Sequence, residues 1–125
     1  MARILLAEDE EALRGFVVRA LLEEGHEVVA VADGASALDV LAHDRGRFQL
    51  LLTDVRMPVM DGIALALNAA REHPDLIILL MTGFADQRER AHELDALVHD
   101  MITKPFSIAD VKQAVKAALV THATR

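Results

Sequence analysis

Cysteine is absent from these 125 residues, which removes both a disulfide framework and a thiolate metal site. Tryptophan and tyrosine are absent too, and four phenylalanines give a flavin or a nucleotide base little to stack on. No apolar run approaches the roughly 20 residues that span a bilayer. Residues 1–3 run at once into the first apolar stretch and leave no room for a signal peptide, so the chain is expected to be cytoplasmic. Positive charge is scarce: 13 basic against 20 acidic side chains give a net −7, which repels nucleic acid and anionic membrane. The basic residues form no stripe, and no DNA or membrane partner is expected. With 53% hydrophobic and 26% charged residues the chain is not disordered, and its length suits one domain over 1–125 with no output domain.

What is present is four apolar runs that each stop at a polar residue. Ile4-Leu5-Leu6-Ala7 meets Glu8-Asp9, and Leu50-Leu51-Leu52-Thr53 meets Asp54. Ile77-Ile78-Leu79-Leu80-Met81 meets Thr82, and Met101-Ile102-Thr103 meets Lys104-Pro105. Short unbroken apolar runs between helical stretches read as strands of a parallel sheet buried on both faces. Ligands of such sheets bind at the carboxyl ends of the strands.

The spacing predicts helices over residues 10–24, 36–43, 61–72 and 85–97 and a last one opening at Ser107. The strands between them are expected over 4–7, 27–31, 49–53, 76–81 and 99–103. Gly25 stops the first helix, Asp33-Gly34 reads as a turn, Asp61 caps the third helix, and Ser107 with Asp110 forms a capping box. Residues 120–125 read as a short tail. Gly15, inside the first helix, costs about 1 kcal/mol against alanine with no evident reason. Five βα units with right-handed crossovers make an α/β, flavodoxin-like doubly wound (βα)5 fold: a five-stranded parallel sheet in the order 2-1-3-4-5. That order brings Glu8, Asp9 and Asp54 together.

Carboxylates so close repel by several kcal/mol in a partly desolvated cleft, so a cation must neutralise them. With only oxygen ligands available, a hard divalent ion fits, and Mg²⁺ fits best. The Asp54 carboxylate can attack phosphorus to give an acyl phosphate. The metal and Lys104 would neutralise the equatorial oxygens, and the Thr82 hydroxyl could donate to one of them. Taken singly, Asp9 could merely complement a helix dipole and Asp54 could be a turn former; their joint occurrence with Thr82 and Lys104-Pro105 favours a site. The six histidines have no metal-ligand spacing and most read as solvated.

Glu8-Asp9, Asp54 with Met57-Pro58 and Asp61-Gly62, Thr82-Gly83 and Lys104-Pro105-Phe106 resemble the receiver domain of bacterial response regulators in two-component signalling. The resemblance implies that Asp54 is the phosphoacceptor, charged by a histidine kinase or histidine phosphotransfer protein. It implies Mg²⁺ held by Asp9, Asp54 and the Arg56 backbone carbonyl, with Glu8 acting through water. Thr82 would move toward the phosphoryl group, Lys104 would pair with it, and the Lys104-Pro105 bond would be cis. Thr82 and position 101 would form the switch surface, where Met101 replaces the usual aromatic residue; output would then pass through loop shifts or methionine repacking. Arg56 and Phe84 stand where the family tunes phosphate lifetime.

Within the family, the text around Glu8-Asp9, Asp54, Met57-Pro58-Val59-Met60-Asp61-Gly62 and Thr82-Gly83-Phe84 resembles the CpdR-like stand-alone receivers of alphaproteobacteria. That implies an adaptor that helps a Clp-type protease choose substrates in the cell cycle, active when unphosphorylated. The chain is expected to assist its own phosphoryl transfer and autodephosphorylation but not to be an enzyme. Alternatives are a phosphorelay intermediate or phosphate sink, a flavodoxin-like electron carrier, or an aspartyl-phosphate phosphatase. Against the phosphatase, the haloacid dehalogenase pattern needs an aspartate where this chain has Arg56.

Overall fold

Two of the strands have no polar face. Leu50, Leu51 and Leu52 are fully buried, as are Ile78, Leu79, Leu80 and Met81. Each such leucine or isoleucine contributes roughly 1.5–3 kcal/mol by leaving water, and only a sheet covered on both sides accommodates them. The computed structural model describes residues 1–44, 47–83 and 97–123. Among these lie five strands, β1 (Arg3–Ala7), β2 (Glu27–Val31), β3 (Leu50–Asp54), β4 (Ile77–Thr82) and β5 (Asp100–Thr103). Four helices accompany them: α1 (Glu11–Glu23), α2 (Gly34–His43), α3 (Gly62–Glu72) and α4 (Ile108–Ala123). All strand pairs are parallel, in the expected order β2-β1-β3-β4-β5.

Period-two alternation divides the core. Leu5, Leu51, Ile78 and Leu80 pack with Leu41, Leu65 and Ala69 on the face covered by α2 and α3. Ile4, Leu6, Leu50, Leu52, Leu79 and Met81 pack with Val17, Leu21, Val111 and Val115 under α1 and α4. The expected apolar stripes of the first and last helices are these buried faces.

Local chemistry sets the element ends. Gly25, at φ +84°, closes α1 in a Schellman motif: its N–H donates to Leu22 O at 3.0 Å and that of His26 to Leu21 O at 3.3 Å. Ser107 and Asp110 exchange reciprocal bonds of 2.9 and 3.1 Å, the expected capping box.

Two expectations need correction. Asp33-Gly34 is no turn but the start of α2, because the Asp33 carboxylate accepts the Ser36 N–H at 2.7 Å and nucleates the helix two residues early. Residues 120–123 are not tail, since α4 continues to Ala123. The expectation that most histidines are solvated is not contradicted, but two of the rings also accept backbone N–H groups. Nδ1 of His26 accepts the Ala2 N–H at 3.0 Å, and Nδ1 of His99 accepts the Ile78 N–H at 3.1 Å. The helix expected over residues 85–97 falls, apart from Leu97, outside the described residues, as does Phe84.

Gly15 is exposed, and a Cβ built on it meets nothing within 4 Å. Gly15→Ala should therefore stabilise the fold by up to about 1 kcal/mol through helix propensity alone. Urea denaturation reads this directly, and a loss of stability would show that the glycine has a packing role.

Candidate functional site

The register delivers the site. Ala7 pairs with Thr53 across β1 and β3, so the next residues, Glu8 and Asp54, lie side by side at the carboxyl edge. Both follow the leucines of the α1/α4 face by two positions. Glu8 is 1% and Asp54 5% exposed, whereas Asp9 is exposed. Lys104, one residue past β5, reaches back across the edge, its Nζ 2.9 Å from Asp54 Oδ2 and 3.4 Å from Glu8 Oε1. Its backbone N–H donates to Thr82 O at 2.7 Å, and the Lys104-Pro105 bond is cis.

The loop after Asp54 is held down tightly. Asp61 caps α3 by accepting the Ala64 N–H at 2.9 Å, as expected of it. Gly62 N–H donates to Val55 O at 2.8 Å, and a Cβ on Gly62 would lie 1.9 Å from the Asp54 carbonyl oxygen. Only glycine permits this approach of helix to strand end. Between them, Met60 N–H donates to Pro58 O at 2.7 Å around Val59, whose φ is +69°. That is a γ-turn, a costly conformation for a β-branched residue.

Glu8, Asp9, Glu10, Asp54 and Lys104 share an open cleft that Arg56 and Gly83 also line. Burial pushes the Glu8 carboxyl up to about 7; the Asp54 charge adds to this, and the Glu10 N–H and Lys104 oppose it. For Lys104, burial works against the charged form, but the bond to Asp54 and the charges of Asp54 and Glu8 outweigh it and raise its pKa above 10.5. Glu8, Asp9 and Asp54 each offer a carboxylate oxygen within 4.8 Å of the others. An all-oxygen donor set of this charge fits a hard divalent cation such as Mg²⁺.

The remaining expected site residues fall near this edge. Thr82 ends β4 and is fully buried; among the described residues its hydroxyl is the one buried side-chain N or O atom lacking a hydrogen-bond partner. An orphan donor there suits an incoming oxygen-rich group. Met101 pairs in register with Leu80, two residues before Thr82, and packs on the α2/α3 face. Met101 and Thr82 thus lie toward the same side of the sheet, opposite Glu8 and Asp54.

Some positioning groups escaped the sequence reading. Arg14 Nη1 donates to the Glu8 carbonyl at 2.9 Å, and the Glu10 N–H donates to Glu8 Oε2 at 3.1 Å. No sequence signal marks Arg14; its position one turn into the first helix is ordinary for an exposed arginine. Gly62 stood in the motif, but its contact with the Asp54 backbone has no signature in spacing.

The raised Glu8 pKa fixes a sign. Protonated Glu8 contributes stability in full below about 4.5, and this is lost as pH rises through about 7. In melts of the metal-free protein, wild type should gain on the order of 1–3 kcal/mol relative to Glu8→Gln between pH 8 and pH 5. Taking the difference cancels His26, whose pKa is lowered by burial and acts in the opposite direction. A difference that does not change with pH would contradict the assignment.

Comparison with known proteins agrees with this geometry. The family model described as "Response regulator receiver domain" matches residues 4–116. The chain is 40% identical to the response regulator receiver protein CpdR of Brucella abortus over 120 residues, 96% of this chain and 98% of that one. It is 33% identical to a segment of the sensor kinase CckA of the same organism, covering 94% of this chain but 12% of the kinase. Among solved structures, a CheY-like receiver domain protein from Methanospirillum hungatei superposes with a TM-score of 0.89 at 27% identity, covering 99% of this chain and 98% of that one. Among the described residues no helix is long and apolar enough to cross a membrane. The chain belongs to the response regulator receiver domain family of two-component signalling.

Proposed function

We propose that this chain is a phosphorylation-controlled binding module whose acceptor is Asp54. One observation carries the reading: a nearly buried Asp54 held 2.9 Å from Lys104, with two further carboxylates within 4.8 Å and an orphaned Thr82 hydroxyl at the neighbouring strand end. Asp9, Asp54 and the Arg56 carbonyl would hold Mg²⁺, with Glu8 acting through water. Bound there, the ion would supply positive charge to the phosphoryl oxygens.

An Asp54 carboxylate oxygen attacks the phosphorus of a phosphohistidine on a kinase or phosphotransfer protein. The new O–P bond forms as the donor's P–N bond breaks, and the departing imidazole nitrogen keeps the electron pair and takes a proton from solvent. Lys104 stabilises charge on the phosphoryl oxygens, and the Thr82 hydroxyl, resting toward the other side of the sheet, moves toward the group to donate to one of them. The chain assists its own phosphorylation and hydrolysis and turns over no separate substrate. Similarity to CpdR over nearly the whole of both chains supports an adaptor role for a Clp-type protease in the cell cycle, exercised in the cytoplasm. Output would pass through loop shifts or repacking of Met101.

A relay intermediate or phosphate sink is the second reading, supported by the match to a segment of a sensor kinase. Transfer from phosphorylated Asp54 back to a histidine phosphotransfer protein would favour it. Retention of a protease unfoldase by the unphosphorylated chain, lost on phosphorylation, would favour the adaptor.

Incubation with acetyl phosphate and Mg²⁺ should add one base-labile phosphoryl group, visible as a single mass increment. Asp54→Asn and chelation should each abolish it, and Lys104→Ala should slow it by at least tenfold. Equal labelling of Asp54→Asn would end the proposal.

A further inference from the structure

Lys104 lies between two carboxylates, and only one of them is the proposed acceptor. Its Nζ is 2.9 Å from Asp54 Oδ2 and 3.4 Å from Glu8 Oε1. Phosphorylation turns the Asp54 carboxylate into an ester-like carbonyl and removes the charge that holds the ammonium most closely. Glu8 is chemically unaltered by that event.

Glu8 is also fixed more firmly than a metal-facing carboxylate needs to be. Its backbone N–H donates to Val31 O at 3.0 Å, and its carbonyl accepts Arg14 Nη1 at 2.9 Å. One carboxylate oxygen takes the Glu10 N–H at 3.1 Å and the other faces Lys104. With its backbone bonded on both sides, one carboxylate oxygen on the Glu10 N–H and 1% exposure, the Glu8 carboxylate is held in place beside Lys104. The glutamate side chain is one methylene longer than aspartate, and it places Oε1 3.4 Å from Lys104 Nζ.

We propose, on the phosphoacceptor reading of Asp54, that Glu8 is the positioning residue for Lys104, the anchor that keeps the ammonium at the site while Asp54 carries the phosphoryl group. Lys104 then exchanges one partner for another instead of swinging in from solvent. The length of residue 8 thereby sets the rate of phosphoryl transfer, separately from any effect on the metal.

The chain provides its own controls, because it has only three lysines, at 104, 112 and 116. Lys112 has the same side-chain exposure as Lys104, 27%, and a single carboxylate partner, Glu23 at 2.9 Å. Lys116 is exposed. Acetylation by a small amine-reactive ester in metal-free buffer, followed by peptide mass spectrometry, gives the three rates in one sample. In wild type, Lys104 should react at least threefold more slowly than Lys112. In Asp54→Asn it should match Lys112, being held by Glu8 alone. In Glu8→Asp with Asp54→Asn it should approach Lys116.

Unaltered rates at Lys112 and Lys116 certify that each variant is folded. If Asp54→Asn alone frees Lys104 to the rate of Lys116, Glu8 is no anchor and the proposal fails. The same holds if Glu8→Asp changes nothing in the Asp54→Asn background. With acetyl phosphate at saturating Mg²⁺, Glu8→Asp should still label several-fold more slowly than wild type. A deficit that vanishes at saturation would mean that Glu8 acts through the ion, and would overturn the proposal. Wild type that shows the lysine pattern but takes no label on Asp54 would refute the phosphoacceptor reading and leave the Glu8–Lys104 pairing standing.

Discussion

Charge imbalance at one edge of the sheet governs this molecule. Three carboxylates converge within 4.8 Å where strands β1 and β3 end, and Lys104 pairs with two of them. Two of the three are nearly removed from water, so their repulsion is weakly screened. The fold tolerates this because the central strands β3 and β4 are buried along their whole length. Leu50 to Leu52 and Ile78 to Met81 clamp the strands in a register that leaves Glu8 and Asp54 no other place to go. A site built this way is short of positive charge at rest. Its all-oxygen donor set fits a hard divalent cation.

The backbone around Asp54 serves the same end. Gly62 lets the start of α3 press against the Asp54 carbonyl, and the γ-turn at Val59 folds the intervening loop close to the edge. Strain at a strand end persists only where surrounding structure over-determines it. Here the capped helix on one side and the paired strand on the other provide that constraint, and they keep the Asp54 carboxylate from drifting away from Lys104.

The fold and the meeting of charged groups were both legible because they rest on patterns of period and order. Apolar runs ending in Asp54, Thr82 and Lys104 identify buried parallel strands, and parallel connectivity places their ends on one edge. Asp61 and Ser107 were readable as caps since capping depends on residues three apart in sequence. What escaped depends on distances across the fold. Nothing in the text around Arg14 says that it reaches the Glu8 carbonyl, nor around His26 that its ring accepts a backbone N–H. Asp33-Gly34 has the composition of a turn, and only the Ser36 N–H arriving at the Asp33 carboxylate makes it a helix start. Gly62 belongs to a familiar motif, yet its reason is steric and appears only when helix and strand are brought together.

The convergence around one cation can be tested without any phosphoryl chemistry. Substoichiometric Mn²⁺ added to ¹⁵N-labelled protein broadens amide signals steeply with proximity to the ion. The account predicts loss of the Glu8, Asp9, Asp54 and Arg56 signals first, retention of Arg3, Glu27 and Leu50 at the opposite edge, and abolition of the effect by Asp54→Asn. Broadening spread evenly over the acidic surface, or unchanged in that variant, would contradict it.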